Sequence, residues 1–148
     1  MTIRCEIVSQ DRTVFTGDVD IVVIPGAAGE MGIMPKHAPV LTTLKFGVVK
    51  VRKAGREELF TVAGGVAEVQ PDVVTILADR GSENIEEIDI HRAEAAKKRA
   101  EEYLAKGPFG TDPDRYAVME AALRRANLRL DTVRRYRKVS SGYRNSEN

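Results

Sequence analysis

Hydrophobic positions in the first half of the chain recur at every second residue in short bursts. Ile3, Cys5 and Ile7 alternate with Arg4 and Glu6, and further bursts follow at Val14-Phe15, Val19 to Ile24, Val40 to Leu44, Val48 to Val51, Leu59 to Ala63, Val66 to Val69 and Val73 to Leu77. That period matches the alternate-face geometry of a strand. Turn formers separate the bursts: Gln10-Asp11, Pro25-Gly26, Gly47, Ala54-Gly55, Gly64-Gly65 and Pro71-Asp72. Short strands with turn signals at this spacing predict an antiparallel β-sandwich or barrel. No helical pattern intervenes, so a doubly wound parallel sheet is disfavoured.

The period changes after Gly81. Ser82 to Glu87 is polar and acidic and reads as a linker; Ile88 to Ala105 is rich in Ala, Glu, Lys and Arg, without Pro or Gly, and predicts a helix with Asp89 as its N-cap. The run Lys106-Gly107-Pro108-Phe109-Gly110 stops it, and Thr111 or Asp112 caps a second helix that has Pro113 in its first turn. Tyr116, Met119, Leu123, Ala126, Leu130 and Val133 recur at steps of three and four and form one apolar stripe. The first helix offers Ala93, Ala96, Ala100, Tyr103 and Leu104 in return, so the two pair as an antiparallel hairpin. The expected organisation is an α+β chain: a β-sandwich head over 1–84, a helical hairpin over 85–138 and a polar, disordered tail over 139–148.

Composition narrows the function classes. No stretch approaches the roughly 20 apolar residues of a membrane span, and the N-terminus starts directly on strand-like residues, which predicts a chain that is not exported. The single cysteine, Cys5, has strand-face neighbours Ile3 and Ile7 and reads as a buried wall residue. With 23 Lys and Arg against 22 Asp and Glu the formal net charge is +1, but the basic residues crowd the last third of the chain.

No P-loop, no metal-spaced Cys or His cluster and no nucleophile elbow is present. The residual enzyme reading is a triad of Cys5, His37 and an acid, which no motif supports. The segment Gly29 to Pro39 contains two glycines and two prolines, and reads as a rigid loop presenting Glu30, Lys36 and His37. Rigid loops of this kind serve as docking surfaces.

Three blocks occur in order: Gly29-Glu30-Met31-Gly32-Ile33-Met34-Pro35-x-His37-x-Pro39, then Phe60-x-Val62-x-Gly64-Gly65-x-x-Glu68-Val69, then Val73-x-Thr75-Ile76-Leu77-Ala78-Asp79. Together with the hairpin they resemble the epsilon subunit of F-type ATP synthases over nearly the whole chain. The resemblance implies a non-catalytic rotor part of the central stalk. Its ten-stranded head binds the gamma subunit and rests on the c-subunit ring, with Glu30, Met31 and His37 toward these partners. Its C-terminal helices inhibit ATP hydrolysis by entering the catalytic alpha/beta head.

Ile88-Asp89-Ile90-His91-Arg92-Ala93 resembles the motif by which some bacterial members bind ATP. A carboxylate at a helix start can accept from an adenine amino group, while Arg92 and Arg99 follow as phosphate donors. The resemblance adds Arg125 and Arg129 from the second helix and Glu83 from the linker. It assigns the exposed Arg124, Arg134 and Arg135 to acidic loops of the beta subunits. No cofactor is required; ATP is a regulatory ligand. The implied place is the cytoplasmic face of a bacterial membrane, or the stromal face of a thylakoid, held there only through the complex and without nucleic acid. The competing reading is a stand-alone sandwich whose basic hairpin binds nucleic acid or an anionic membrane.

Overall fold

The computed structural model of the protein describes residues 1–108 and 112–144. Residues 109–111 and 145–148, among them the candidate cap Thr111 and the end of the expected tail, lie outside the described residues. The chain forms two compact units, one from Met1 to Ile85 and one from Glu86 onward.

The first unit is built from β1 (Ile3–Ser9), β2 (Thr13–Val19), β3 (Ile21–Gly26), β4 (Gly29–Ile33), β5 (Val40–Lys53), β6 (Arg56–Val69), β7 (Val73–Ala78) and β8 (Glu83–Asn84). They make one eight-stranded sheet in the order β2-β1-β7-β6-β5-β3-β4, with β8 also pairing to β6. β5 and β6 form a long hairpin in unbroken register from Val40↔Val69 to Lys53↔Arg56, except that Lys45 and Gly64 drop out of the ladder. Phe15 on β2 meets Phe60 on β6 with ring centroids 5.3 Å apart, although β1 and β7 lie between these two strands in the sheet order, so the sheet folds face to face. Dividing β5 and β6 at that interruption turns the eight strands into the ten expected.

Period-two alternation places the core. Ile3, Cys5 and Ile7 of β1, Val22 and Ile24 of β3, Val49 and Val51 of β5, Phe60 and Val62 of β6, and Val74 and Ile76 of β7 are all buried in one cluster. Phe60 is 2 % exposed and is the largest of the fully buried side chains, so its truncation would cost about 3–5 kcal/mol.

Four expectations about the head need correction. The sheet is mixed: β1 and β7 are parallel, from Arg4↔Val73 to Ser9↔Ala78. Alternation is the same in either direction, and the intervening strands supply the long crossover that a parallel pair requires. Gly47 and Gly64-Gly65 do not end strands; they lie within β5 and β6. Gly29 to Ile33 is not loop but β4, paired with β3 from Gly26↔Gly29 to Val22↔Ile33, because Met31 and Ile33 alternate inward despite the two glycines. Ser82 to Ile85 is not linker: Ser82 is buried and its hydroxyl donates to the Thr61 carbonyl at 2.6 Å, with Glu83 and Asn84 in strand β8.

The second unit is a helical hairpin. A short 3-10 turn, Ile85–Glu87, leads into α1 (Ile90–Leu104), and α2 covers Pro113–Arg144. The second helix therefore continues six residues past its expected end at 138. Asp89 caps α1, its Oδ1 accepting from the Arg92 amide at 3.1 Å. Gly107 at φ +78 supplies the left-handed turn after α1, and Asp112 Oδ1 accepts from the Asp114 amide at 3.0 Å at the start of α2. Of the expected seam, Ala93, Ala100, Ala126 and Val133 are buried and Ala96, Tyr103, Leu104, Tyr116, Met119, Leu123 and Leu130 half-buried, while Thr132, not expected there, is buried beside Val133.

At Gly65 (φ +133) an added Cβ would collide with the Leu77 carbonyl oxygen across the β6–β7 ladder; at Gly55 (φ +78) it would meet open space. Gly65→Ala is expected to lower the melting temperature by more than about 10 °C, through a cost of about 3 kcal/mol or more. Gly55→Ala is expected to cost about 1 kcal/mol. Thermal denaturation followed by circular dichroism checks both, and equal shifts for the two would show that the ladder is not the constraint.

Candidate functional site

On the head, the polar positions expected to face partners occupy one hairpin and the loop after it. Glu30 is exposed on β4 opposite Pro25, whereas Met31 opposite Ile24 is half-buried and packs against the core. The next segment is held at both ends: the Lys36 amide donates to the Pro71 carbonyl at 2.8 Å, and the His37 amide donates to the Met34 carbonyl at 3.1 Å. Lys36 itself sits at φ 67, a left-handed conformation uncommon for a non-glycine residue. His37 Nδ1 lies 2.7 Å from the Ala38 carbonyl oxygen; a carbonyl can only accept, so Nδ1 carries the proton. The loop thus presents Glu30 and His37 from a fixed backbone, with Met31 largely turned into the fold.

Beside this loop a groove of about 410 Å3 is lined by Pro39, Val40, Leu41, Glu68, Val69 and Gln70. Leu41 at 74 % and Met34 at 59 % exposure place two large apolar side chains in solvent here. Sequence reading missed both, since alternation marks Leu41 as outward but says nothing of its neighbours.

The hairpin holds the other candidates. Its antiparallel sense is fixed by contacts at both ends: the Arg115 guanidinium stands 5.3 Å from the Tyr103 ring centroid near the turn, and Arg137 Nη2 donates to the Ile88 carbonyl at 2.8 Å at the far end. Successive helical residues are rotated by about 100°. Arg92 and Arg99 therefore flank the buried Ala93 and Ala100 on one side, and Arg125 and Arg129 flank Ala126 in the same sense. In an antiparallel pair, equal offsets from the facing seam fall on the same side, so the four arginines share one edge of the hairpin. Asp89 begins that edge with one carboxylate oxygen committed to the cap. Ile88 and Ala93 are buried and offer packing and backbone rather than side-chain polarity.

Glu83 belongs to β8 of the head unit, where its carbonyl accepts from the Thr61 hydroxyl at 3.4 Å. Arg124 and Arg135, eleven residues apart, point away from the seam; Arg135 lies 5.6 Å from the Tyr136 ring centroid. Arg134 is 72 % exposed and only 3.9 Å from the equally exposed Asp131, a pair that contributes little.

The cysteine-based enzyme reading fails on burial. Cys5 is fully enclosed on β1, and desolvation, helped by the Glu6 charge, pushes its thiol from 9.0 up to about 12. Such a thiol is inert as a nucleophile. Among the described residues no group of three or more His, Cys, Asp or Glu is placed to hold a metal, and no helix is long and apolar enough to cross a membrane.

The architecture is a β-sandwich followed by a two-helix hairpin, with the candidate residues on a held loop of the first unit and an arginine-lined edge of the second. Comparison with known proteins supplies the family. Residues 2–84 match the family model described as ATP synthase, Delta/Epsilon chain, beta-sandwich domain, and residues 86–134 match that of the long alpha-helix domain of the same chain. The ATP synthase epsilon chain of Dehalococcoides mccartyi is 44% identical over 142 residues, covering 92% of this chain and 95% of its own. That of Bacillus velezensis is 45% identical over 132 residues, covering 89% and 97%. A chain in the structure of the Euglena gracilis mitochondrial ATP synthase shares the fold, with a TM-score of 0.71 at 24% identity over 89% of this chain and 81% of that one. The chain belongs to the ATP synthase delta/epsilon family, among its epsilon chains.

Cys5 is expected to resist iodoacetamide at pH 8 in the native protein and to react rapidly in denaturant, as read by mass spectrometry. Because folding raises its pKa, the thiol's share of stability is whole below about pH 9 and is lost as the pH climbs toward 12. Alkylation in the native state at the denatured rate would show that the sandwich does not enclose it.

Proposed function

We propose that the chain is a non-catalytic part of the ATP synthase central stalk, in which the head docks on other rotor parts and the hairpin regulates hydrolysis in response to ATP. The observation that carries this reading is the division of the chain at Ile85/Glu86 into a β-head with a deep apolar core and a hairpin held by a thin seam. Each buried alanine of that seam contributes only about 0.8 kcal/mol per carbon. A hairpin so lightly held can be opened by a partner, while the head keeps its shape.

In this reading Glu30 and His37 contact the gamma subunit or the c-subunit ring, with Met31 supporting the strand between them. The head's position at the cytoplasmic face of the membrane follows from those partners. ATP lies along the shared arginine edge, its adenine amino group donating to Asp89 and its phosphates accepting from Arg92, Arg99, Arg125 and Arg129, so that it bridges the two helices and favours the closed form. Glu83 joins only if the head unit comes to that edge. With ATP absent the second helix extends, and Arg124, Arg134 and Arg135 meet acidic loops of the beta subunits. No residue in this arrangement activates a water or holds magnesium, so binding does not lead to hydrolysis.

Isothermal titration of the full chain with ATP tests the nucleotide switch, with Asp89→Asn and Arg125→Ala variants in parallel. Asparagine keeps the helix cap but puts an amide donor where the free carboxylate oxygen must accept. Saturable binding to the native chain, lost in both variants, is expected; absence of binding to a chain shown to be folded would remove the switch. Capture of the ATP synthase gamma subunit tests the stalk assignment separately. Glu30→Ala is expected to leave that capture intact if the loop faces the c-subunit ring and to weaken it about tenfold if it faces gamma.

A further inference from the structure

The apolar stripe of α2 steps from Ala126 to Leu130 to Val133, and the next position on it, four residues later, is Arg137. An arginine there is unexpected, because the stripe faces the partner helix. The structure gives it a specific task. Arg137 is half-buried, and its Nη2 donates at 2.8 Å to the carbonyl of Ile88, the residue immediately before the cap of α1. The bond spans 49 residues of sequence and joins the start of α1 to the part of α2 that lies beside it, seven residues before α2 ends. Arg137 also lies beyond residue 134, where the match to the long alpha-helix family model ends.

The hairpin is unequally closed along its length. At the turn, the chain itself and the Arg115–Tyr103 contact at 5.3 Å keep the helices together. In the middle the fully buried residues are the alanines Ala93, Ala100 and Ala126, which give close approach and little area each, with Met119, Leu123 and Leu130 half-buried beside them. At the open end a charged donor on a backbone carbonyl is among the stronger hydrogen bonds available to a protein. Separation of two antiparallel helices starts at the end that is not covalently joined, so a bond at that end controls the first step.

We propose that Arg137 is the latch of the hairpin: its guanidinium, bonded to the Ile88 carbonyl, keeps α2 on α1, and the helices part only after this bond breaks. The latch rests on the contacts within the hairpin and acts whether or not nucleotide binds. It also lies against the segment Ile88-Asp89, so any ligand or partner that shifts this segment acts on the latch directly.

Hydrogen exchange of the full chain, followed by mass spectrometry without nucleotide, tests it. The variants are Arg137→Met, which keeps an unbranched stem in the seam but no donor, Arg137→Ala, and Arg134→Ala as the exposed neighbour. Alanine has the higher helix propensity, so a loss of protection in Arg137→Ala does not come from a weaker helix. Both Arg137 variants are expected to speed exchange in α1 and at Leu130 to Val133 by roughly tenfold, the effect of losing one charge-assisted bond. The head strands are expected to exchange as before, and Arg134→Ala to change nothing. Exchange within twofold of the parent in Arg137→Met would overturn the proposal, as would an equal effect of Arg134→Ala. Acceleration of both units together would overturn it too, since the bond would then support the whole fold.

Discussion

The β5–β6 hairpin is the constraint on which the head depends. Its ladder runs from Val40↔Val69 to Lys53↔Arg56, longer than any other among the described residues, and it joins the strands paired to β6 to those beyond β5. The ladder is interrupted once, where Lys45 and Gly64 leave it. The glycines at 64 and 65 sit at φ +97 and +133, where a side chain would strike Asp79 or the Leu77 carbonyl. β7 and β8 pair with β6 on one side, and β3, which carries β4 at its outer edge, pairs with β5 on the other, so the loop after β4 takes its place from this hairpin.

The parts of the fold that were legible are those with an unambiguous period. Ile3, Cys5 and Ile7 announced a half-buried strand, and the spacing of Ala93 and Ala100 or of Ala126 and Val133 announced a seam; all are buried as expected. What was illegible follows from the same physics. Alternation carries no information about strand direction, so the parallel β1–β7 pairing was invisible. Glycine reads as punctuation whether it ends a strand or lets one bend, so Gly47 and Gly64-Gly65 were misread. Ser82 looked like linker because its hydroxyl is polar, although burial with a bond to the Thr61 carbonyl satisfies it.

Which element carries each candidate residue was legible, and how those residues are arranged was not. Asp89 was expected at a helix start and is the cap there. The grouping of Arg92, Arg99, Arg125 and Arg129 on one edge requires the antiparallel sense of the hairpin, which two cross-helix contacts supply. Arg137 passed as one more of the basic residues that crowd the last third of the chain, because charge was read before position. Its place four residues after Val133 was the available signal.

The two sets of arginines on α2 constrain how a regulatory hairpin can operate. Arg125 and Arg129 border the seam and are half-buried, whereas Arg124, Arg134 and Arg135 are exposed with the hairpin closed. Opening therefore does not uncover the outward charges; they are already in solvent. If those residues engage an acidic partner only when the hairpin opens, the control must come from reach: a helix of 32 residues is about 48 Å long when it points away from its partner helix, at about 1.5 Å per residue. The inner arginines change differently, since opening takes Arg125 and Arg129 away from Arg92 and Arg99 and dissolves the shared edge. A ligand on that edge and a partner that needs the extended helix would compete through the geometry of α2, although they use different faces of it.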